Sequence, residues 1–229
     1  FQIEVGFKTA NSMGANFINS CLEIISKKFK ELLNDSSQFK ESEKNIKVIM
    51  SILSNYTPEC IVESSVECKI DDLGEIDGIN SKEFALKFKN AFDIANVDIG
   101  RAVTHNKGIM NGIDAVLIST GNDFRAVEAG IHAFASSKGK YMSLSECTII
   151  DNIFKIKLKI PLSIGTIGGI TDIHPMVKLS LKLLDNPTSD KLMNIICSVG
   201  LAQNFAAVKS LVTSGIQKGH MKMHLINLL

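Results

Sequence analysis

A lysine and an aspartate stand at either end of one apolar segment, where they could stabilise and tune a developing negative charge. Lys107 opens the segment 107–119, and Asp123 follows it in the turn Thr120-Gly121-Asn122-Asp123. Glycine-flanked turns on a rigid scaffold commonly present reactive side chains. The spacing does not require the two to meet, because a lone lysine is usually solvated and Asp123 could simply cap the next helix. Both interpretations stay open at this point.

Three further stretches carry residue types suited to binding or proton transfer. The predicted helix start 11–16 contains Gly14, and its free N–H groups could hold a phosphate, although an ordinary capped helix has the same pattern. The glycine-rich run 165–169 could fold around a bound group or form plain turns. His220 follows a glycine near an apolar tail, so it could donate a proton from a mobile flap or be inert. No GxGxxG follows a strand, which argues against a Rossmann domain.

The elements that must position these residues divide into a small and a larger unit. Apolar residues at helical spacing predict a helix over 13–33. Alternation predicts a strand over 46–52, and a second strand is expected over 61–70. A helix followed by two strands indicates a small α+β unit that ends near Gly78.

The larger unit is predicted to be mainly helical with one hairpin. Ser81 is expected to cap its first helix. Asn111-Gly112 would suit a hairpin turn, but helical periodicity on both sides overrides it. A better hairpin spans 147–160 and turns at Asp151-Asn152. The remaining segments predicted as helices are 107–119, 122–136, 174–184, 189–199 and 201–213, the last ended by Gly215.

Composition narrows the possible partners. Twenty-five Lys and Arg against 24 Asp and Glu give a net charge of +1, so no global field attracts nucleic acid or an anionic membrane. Polar residues interrupt the apolar runs well before the ~20 residues that cross a bilayer. Five cysteines without a CxxC pair indicate free thiols and no zinc site, which favours the cytoplasm. A start without methionine and an uncapped apolar end suggest a fragment.

Taken together, these stretches resemble class II 3-hydroxy-3-methylglutaryl-CoA (HMG-CoA) reductases, and the resemblance covers nearly the whole chain. The most specific run is Thr104-His105-Asn106-Lys107-Gly108-Ile109-Met110-Asn111-Gly112-Ile113-Asp114-Ala115, followed by Thr120-Gly121-Asn122-Asp123 and Arg125-Ala126-Val127-Glu128-Ala129-Gly130. Supporting runs are Met13-Gly14-Ala15-Asn16, Ile164-Gly165-Thr166-Ile167-Gly168-Gly169, Gly200-Leu201-Ala202-Gln203-Asn204 and Gly215-Ile216-Gln217-Lys218-Gly219-His220-Met221. The lysine in His-Asn-Lys-Gly matches the class II arrangement rather than class I, so no membrane anchor is expected.

The resemblance implies a four-electron reduction of HMG-CoA to mevalonate and CoA with two NADH or NADPH, or its reverse. By motif position, Lys107 would stabilise the oxyanion, Asp123 would hold Lys107, and His220 would protonate the departing CoA thiolate. The implied substrate contacts are Arg101, Asn111 and Gln203. The implied cofactor contacts are Met13, Gly14, Asn16 and Asn55. No metal is implied, and the choice between NADH and NADPH stays open.

The resemblance also implies an architecture of the α+β class. Residues 1–79 would belong to a small ferredoxin-like, non-Rossmann cofactor domain, 80–214 to a large substrate domain, and 215–229 to the start of a C-terminal flap that carries His220. A homodimer with its active site at the subunit interface is implied as well. We expect a cytoplasmic protein of isoprenoid metabolism.

Two departures from the family pattern bear on activity. No glutamate in this chain matches the motif of the family's catalytic glutamate, so we expect this span alone to be inactive. Asn11 stands where the family has aspartate, which removes one charge from the cofactor site. The alternative function is a non-catalytic descendant that binds CoA thioesters, which would have no chemical reason to keep Lys107, Asp123 and His220 together.

Overall fold

The computed structural model describes residues 1–215, which form helices around one small antiparallel sheet. The helices are α1 (Ala15–Asp35), α2 (Glu41–Lys44), α3 (Ser81–Val97), α4 (Ile99–Ser119), α5 (Phe124–Ala135), α6 (Pro175–Leu183) and α7 (Ser189–Val212). The strands are β1 (Ile61–Lys69), β2 (Ser145–Ile150) and β3 (Ile153–Pro161), and a 3₁₀ turn follows β1 at Ile70–Leu73. The predicted α+β class is confirmed at this level.

The sheet has the order β1-β3-β2, with both pairs antiparallel. The predicted hairpin is confirmed: β2 and β3 are joined by Asp151 and Asn152, whose φ angles of 50° and 63° suit a tight hairpin turn. Alternation along β3 buries residues such as Ile156 and Leu158 on one face. On the other face Lys155 forms an ion pair with Glu67 at 2.9 Å, and Lys157 forms one with Glu146 at 3.4 Å.

The core lies between the apolar face of this sheet and the helices α3, α4 and α7. Phe88 on α3 is fully buried, and its ring lies 5.4 Å from that of Phe154 on β3 and 5.2 Å from that of Phe205 on α7. Large buried aromatic rings contribute strongly to a core of this kind. The packing holds α4 and α7 side by side over the sheet.

Two helices are longer than the sequence periodicity predicted. α4 begins at Ile99, because the Asp98 carboxylate accepts a hydrogen bond from the Arg101 N–H at 2.6 Å and starts the helix there. α7 runs without a break through Gly200, where a Cβ would lie 2.9 Å from Ile113. The glycine therefore permits close packing against α4 rather than ending a helix. The cap of α3 is Asn80, one residue before the predicted Ser81.

The predicted strand over 46–52 is wrong, because no strand is assigned within residues 1–60. The segment instead contacts α1, and the Leu53 N–H donates to the Asn19 side chain at 2.9 Å. The second predicted strand forms as β1, but it pairs with β3. The sheet therefore crosses the domain boundary expected near residue 79.

One helix among the described residues, α7, is long and apolar enough by length and composition to cross a membrane, with a mean hydropathy of 1.5. The same helix packs against α4, β1 and β3. A core helix passes this test as readily as a membrane span does, so the finding is weak evidence for a membrane.

Candidate active site

Lys107 lies in the middle of α4 and is exposed. It does not stand on a turn before a helix, because the Asp98 cap starts α4 two turns earlier. Asn111 follows one turn later on the same face and is also exposed. Arg101 lies in the first turn of α4 and is half-buried. The helix thus displays a cation and an amide side by side.

Gln203 joins this face from α7. A Cβ built on Gly112 would lie 2.9 Å from the Gln203 Cβ and 3.1 Å from the Val199 carbonyl, so the two helices touch at this point. Gln203 is exposed, as is the neighbouring Asn111. The structure therefore brings Lys107, Asn111 and Gln203 to one surface along the seam between α4 and α7.

Asp123 caps α5, as one of the two open interpretations predicted. Its carboxylate accepts hydrogen bonds from the backbone N–H groups of Arg125 and Ala126 at 3.1 and 3.2 Å, and the Arg125 side chain lies 3.3 Å away. Partial burial raises the pKa of Asp123, but the hydrogen bonds from Arg125 and Ala126 outweigh it and leave the pKa below its ordinary value.

Asp123 does not contact Lys107 of the same chain, so the expectation that it holds a sheltered Lys107 stays a prediction. At about 1.5 Å per residue, Lys107 lies roughly 18 Å from the α4 end at Ser119, and Asp123 lies beyond that end. Among residues 1–215, no carboxylate oxygen lies within the 4.0 Å limit of an ion pair with Lys107. The lysine is exposed because it occupies the outer face of α4.

The predicted cofactor residues gather around the start of α1. Gly14 is the N-cap residue, with φ of 74°, and no side chain caps the helix. A Cβ at Gly14 would lie 2.6 Å from Thr9 Cγ2, so the position requires glycine. Asn16 is exposed in the first turn. The uncapped N–H groups and the positive end of the helix dipole suit an anion.

Met13 and Asn55 line one small cleft of about 50 Å³ beside α5. Gly130 forms part of its wall, and a Cβ there would lie 2.7 Å from the Asn55 carbonyl oxygen. The cleft brings together two predicted cofactor residues that are separated widely in sequence. A cleft of this volume holds one or two groups the size of a water molecule.

The glycine-rich loop over 165–169 contacts two other motifs, the one that contains Met13 and the one that contains Asn122. A Cβ at Gly165 would lie 2.6 Å from the Met13 nitrogen, so the loop packs directly on the start of α1. The Thr166 N–H donates to the Asn11 carbonyl at 2.8 Å, and the Gly165 N–H donates to the Asn122 side chain at 2.8 Å. The loop therefore supports the two turns that carry Met13 and Asp123.

Asn11 has a structural partner that sequence reasoning did not identify. Its side-chain oxygen accepts a hydrogen bond from the Ser189 backbone N–H at 2.9 Å and lies 3.2 Å from the Ser189 hydroxyl. Ser189 is the first residue of α7. The Asn11 side chain thus satisfies a free N–H group at a helix start.

Sequence reasoning also missed two groups of interacting side chains near the site. His105, Ser145 and Asn204 form a buried hydrogen-bonded cluster. Asp114 on α4 and Glu128 on α5 form a carboxyl pair, and partial burial together with the Glu128 carboxylate raises the pKa of Asp114 to about 6. The sequence signal available for the first group was helical periodicity, which turns His105 and Asn204 towards the core.

His220, the predicted proton donor, lies outside the described residues.

The chain is similar to known proteins along nearly its whole length. A model of the hydroxymethylglutaryl-coenzyme A reductase family matches residues 1–225. The 3-hydroxy-3-methylglutaryl-coenzyme A reductase of Archaeoglobus fulgidus is 37% identical over 219 residues, covering 95% of this chain and 46% of that protein. The probable reductase of Borreliella burgdorferi is 35% identical over 230 residues, covering 100% of this chain and 50% of that protein. The chain therefore spans about half the length of the curated relatives it matches.

Solved structures give the same result. The reductase from Streptococcus pneumoniae superposes with a TM-score of 0.80 at 43% identity, covering 95% of this chain and 49% of that one. A class II reductase from the same organism, described as bound to NADPH in open conformations, gives 0.79 at 44% identity, covering 94% of this chain and 50% of that one. With a family match along nearly its whole length and folds shared at this identity, the chain belongs to the hydroxymethylglutaryl-coenzyme A reductase family, in its class II branch.

Proposed function

We propose that the full-length protein reduces HMG-CoA to mevalonate and CoA at the expense of two reduced nicotinamides, or catalyses the reverse reaction. The observation that carries this proposal is the exposed face on which Lys107, Asn111 and Gln203 lie together. A cation beside two amides can bind an acyl group and stabilise the negative charge that develops on its oxygen. Family membership supplies the reaction class.

The second part of the proposal is a homodimer with the active site at the subunit interface. Lys107 is exposed and remote from Asp123 of its own chain. The same face of α4 carries Val103 one turn before it and Ile118 three turns after it, which are 51% and 59% exposed. Apolar side chains beside a functional lysine favour cover by a second subunit. In that dimer Lys107 would reach Asp123 of the partner subunit, and the partner would exclude water from the ammonium group.

The remaining residues take the roles that their motifs indicate. Asn111, Gln203 and Arg101 would hold the acyl and thioester end of the substrate. Asp123 is anionic at neutral pH, since Arg125 and the α5 backbone keep its pKa low, so it can orient an ammonium group by charge. His220 would protonate the departing thiolate. The catalytic glutamate of the family would come from the part of the protein that this chain does not include.

We propose that the start of α1 binds a phosphate of a nicotinamide dinucleotide, NADH or NADPH. Its N–H groups have no side-chain cap, and Gly14 leaves the backbone open to a phosphate. Met13 and Asn55 share one cleft, and Asn16 lies exposed beside it. When bound, the reduced nicotinamide supplies the hydride. The residues of this chain would hold the dinucleotide and orient it, and no metal takes part in the proposal.

The domain organisation is part of the same proposal. Residues 1–79 would form part of a ferredoxin-like cofactor domain; within them β1 is the only strand, and it pairs with β3 of the substrate domain over 80–214. Residues 215–229 would begin the flap that carries His220. The protein would work in the cytoplasm, in the mevalonate part of isoprenoid metabolism.

The test is HMG-CoA-dependent oxidation of NADPH or NADH by the full-length protein, with Lys107→Ala as the key variant. We expect wild-type turnover and a loss of at least a hundredfold in kcat for Lys107→Ala. Lys82→Ala removes an equally exposed lysine from α3 and should keep wild-type turnover. Tight binding of HMG-CoA without turnover would favour the non-catalytic thioester binder. The 229-residue chain alone should be inactive.

A further inference from the structure

Three polar side chains from three different elements meet in the core behind the proposed active site. His105 on α4, Ser145 at the start of β2 and Asn204 on α7 are 2%, 0% and 1% exposed. His105 Nε2 lies 2.7 Å from Ser145 Oγ, which donates to Asn204 Oδ1 at 2.9 Å. Asn204 Nδ2 lies 3.2 Å from the same histidine nitrogen. We call these residues the His105 cluster.

Each helix places a cluster residue next to a proposed active-site residue. His105 precedes Lys107 by two positions, which is about 200° around a helix, so the two side chains point to opposite faces of α4. Asn204 directly follows Gln203 on α7. Fixing the inward side chain on each helix therefore fixes the direction of the outward one.

Asn106 adds a second attachment on α4. It is 0% exposed, and its amide donates to the Met142 carbonyl at 2.8 Å and accepts from the Leu144 N–H at 3.0 Å. Both partners lie in the segment that leads to Ser145. The residues just before Lys107 are thus bonded on two sides to the same end of β2.

The hydrogen atoms of the cluster can be assigned. Ser145 has one hydroxyl proton and gives it to Asn204, so the 2.7 Å contact with His105 requires a proton on Nε2. The 3.2 Å contact between Asn204 Nδ2 and Nε2 then joins two donors and is not a hydrogen bond. The other tautomer would bring two lone pairs of Ser145 and His105 together at 2.7 Å. Nδ1 then carries a lone pair, and it has no partner among the described residues. An unpaired buried acceptor is more tolerable than an unpaired buried N–H.

The histidine is also kept neutral. Burial, and to a smaller extent the Arg101 charge, lowers the pKa of His105 to about 4. The Phe92 ring packs edge-on against the imidazole at a centroid distance of 4.8 Å. A neutral ring with one fixed tautomer gives the cluster a single arrangement of donors and acceptors at physiological pH.

We infer that the His105 cluster is a positioning unit of the active site, which locks the rotation of α4 and α7 so that Lys107 and Gln203 face the same substrate. The inference rests on the proposed function. Hydrogen bonds between buried polar groups favour the one packing arrangement in which they form, whereas an apolar core of similar volume is often as stable. Stability alone therefore gives no reason to place three polar side chains there.

The test compares Ser145→Ala with Tyr141→Phe in the full-length protein. Each removes one hydroxyl that contacts a histidine, since Tyr141 Oη lies 2.8 Å from His132 Nδ1. We expect Ser145→Ala to lower kcat at least tenfold and to leave the KM for NADPH unchanged, because the start of α1 is not part of the cluster. Tyr141→Phe should keep kcat within twofold. Folded Ser145→Ala protein with kcat within twofold of wild type would overturn the inference.

A double-mutant cycle separates positioning from general damage. In a Lys107→Arg background, where the lysine geometry is already lost, Ser145→Ala should reduce kcat by less than a further twofold. A further tenfold loss there would mean that Ser145 acts independently of Lys107, against the inference. Wild-type protein without any turnover would contradict the proposed function rather than the positioning role of the His105 cluster.

A measurement on unmodified protein remains decisive if Ser145→Ala does not fold. Nitrogen-15 NMR of the imidazole at neutral pH should give the neutral Nε2–H tautomer for His105. An Nδ1–H tautomer or an imidazolium ion would contradict the cluster, whatever the activity.

Discussion

Gly112 on α4 lies directly beneath Gln203 on α7, so close that a Cβ at position 112 would be 2.9 Å from the Gln203 Cβ. The same Cβ would lie 3.1 Å from the Val199 carbonyl oxygen. Backbone cannot yield as a flexible side-chain end can. The close approach of these helices is what brings Asn111 and Gln203 onto one surface.

Gly112→Ala should therefore destabilise the protein, by about 1–2 kcal/mol after the gain in helix propensity is counted. It should also raise the KM for HMG-CoA, because α7 must move away from Asn111. Thermal unfolding and steady-state kinetics of the full-length variant measure both effects.

Gly108→Ala is the matched control for stability. It lies one turn earlier on α4, and its Cβ would meet Ala207 at an ordinary 3.8 Å. Alanine there should stabilise the helix by roughly 0.5–1 kcal/mol. If both substitutions were equally stabilising, the close contact of α4 with α7 at Gly112 would be contradicted.

The Asp114–Glu128 pair predicts an unusual pH dependence of stability. Partial burial and the Glu128 carboxylate raise the pKa of Asp114 from 3.8 to about 6. A carboxyl group with a raised pKa contributes stability below its unfolded value, and this contribution is lost as the pH rises through about 6. Asp114→Asn should thus raise the melting temperature at pH near 7 and have little benefit near pH 4.

Solvent limits the size of this effect, because Asp114 is partly exposed. We expect a gain of no more than about 1 kcal/mol at neutral pH. Asp172→Asn, in an exposed loop, controls for the loss of one negative charge. A melting temperature of Asp114→Asn that falls at neutral pH and rises in acid would reverse the predicted sign.

We expect the main effect of Asn11 to be the capping of α7, and not the loss of the negative charge that the family's aspartate carries. Asn11→Ala removes the oxygen that accepts from the Ser189 N–H, so it should cost about 1 kcal/mol in unfolding free energy. Asn11→Asp keeps that oxygen and adds a favourable charge at a helix start, so it should be neutral or slightly stabilising. Chemical unfolding compares the three proteins. Equal destabilisation by both variants would show that the oxygen has no capping role.

Local patterns in the sequence were sufficient for several elements and for the family. The alternation from Phe154 to Ile160, with Asp151-Asn152 before it, specifies the hairpin because both turn residues tolerate positive φ. The apolar stripe of α1 specified that helix. The position of Asp123 before an apolar segment indicated the cap that the structure has.

Other features depend on contacts that are distant in sequence. The segment 46–52 alternates like a strand, yet strand formation also requires a neighbouring strand, and β1 pairs with β3 instead. The start of α4 at Ile99 was not predicted, because the capping residue Asp98 lies outside the motif that contains Lys107. The His105 cluster joins residues up to 99 positions apart; helical periodicity places His105 and Asn204 on inward faces but does not indicate that they meet. The separation of Lys107 from Asp123, by contrast, already follows from the helix predicted over 107–119, which the structure contains within α4.

The account depends most on an active site shared by two subunits, and mixed dimers test it directly. Full-length Lys107→Ala and Asp123→Asn should each be inactive alone. When the two are unfolded and refolded together, half of the dimers are mixed and each holds one intact Lys107–Asp123 site, so activity should return to roughly a quarter of wild type. No recovery, although mixed dimers form, would contradict a site in which Lys107 of one subunit acts with Asp123 of its partner.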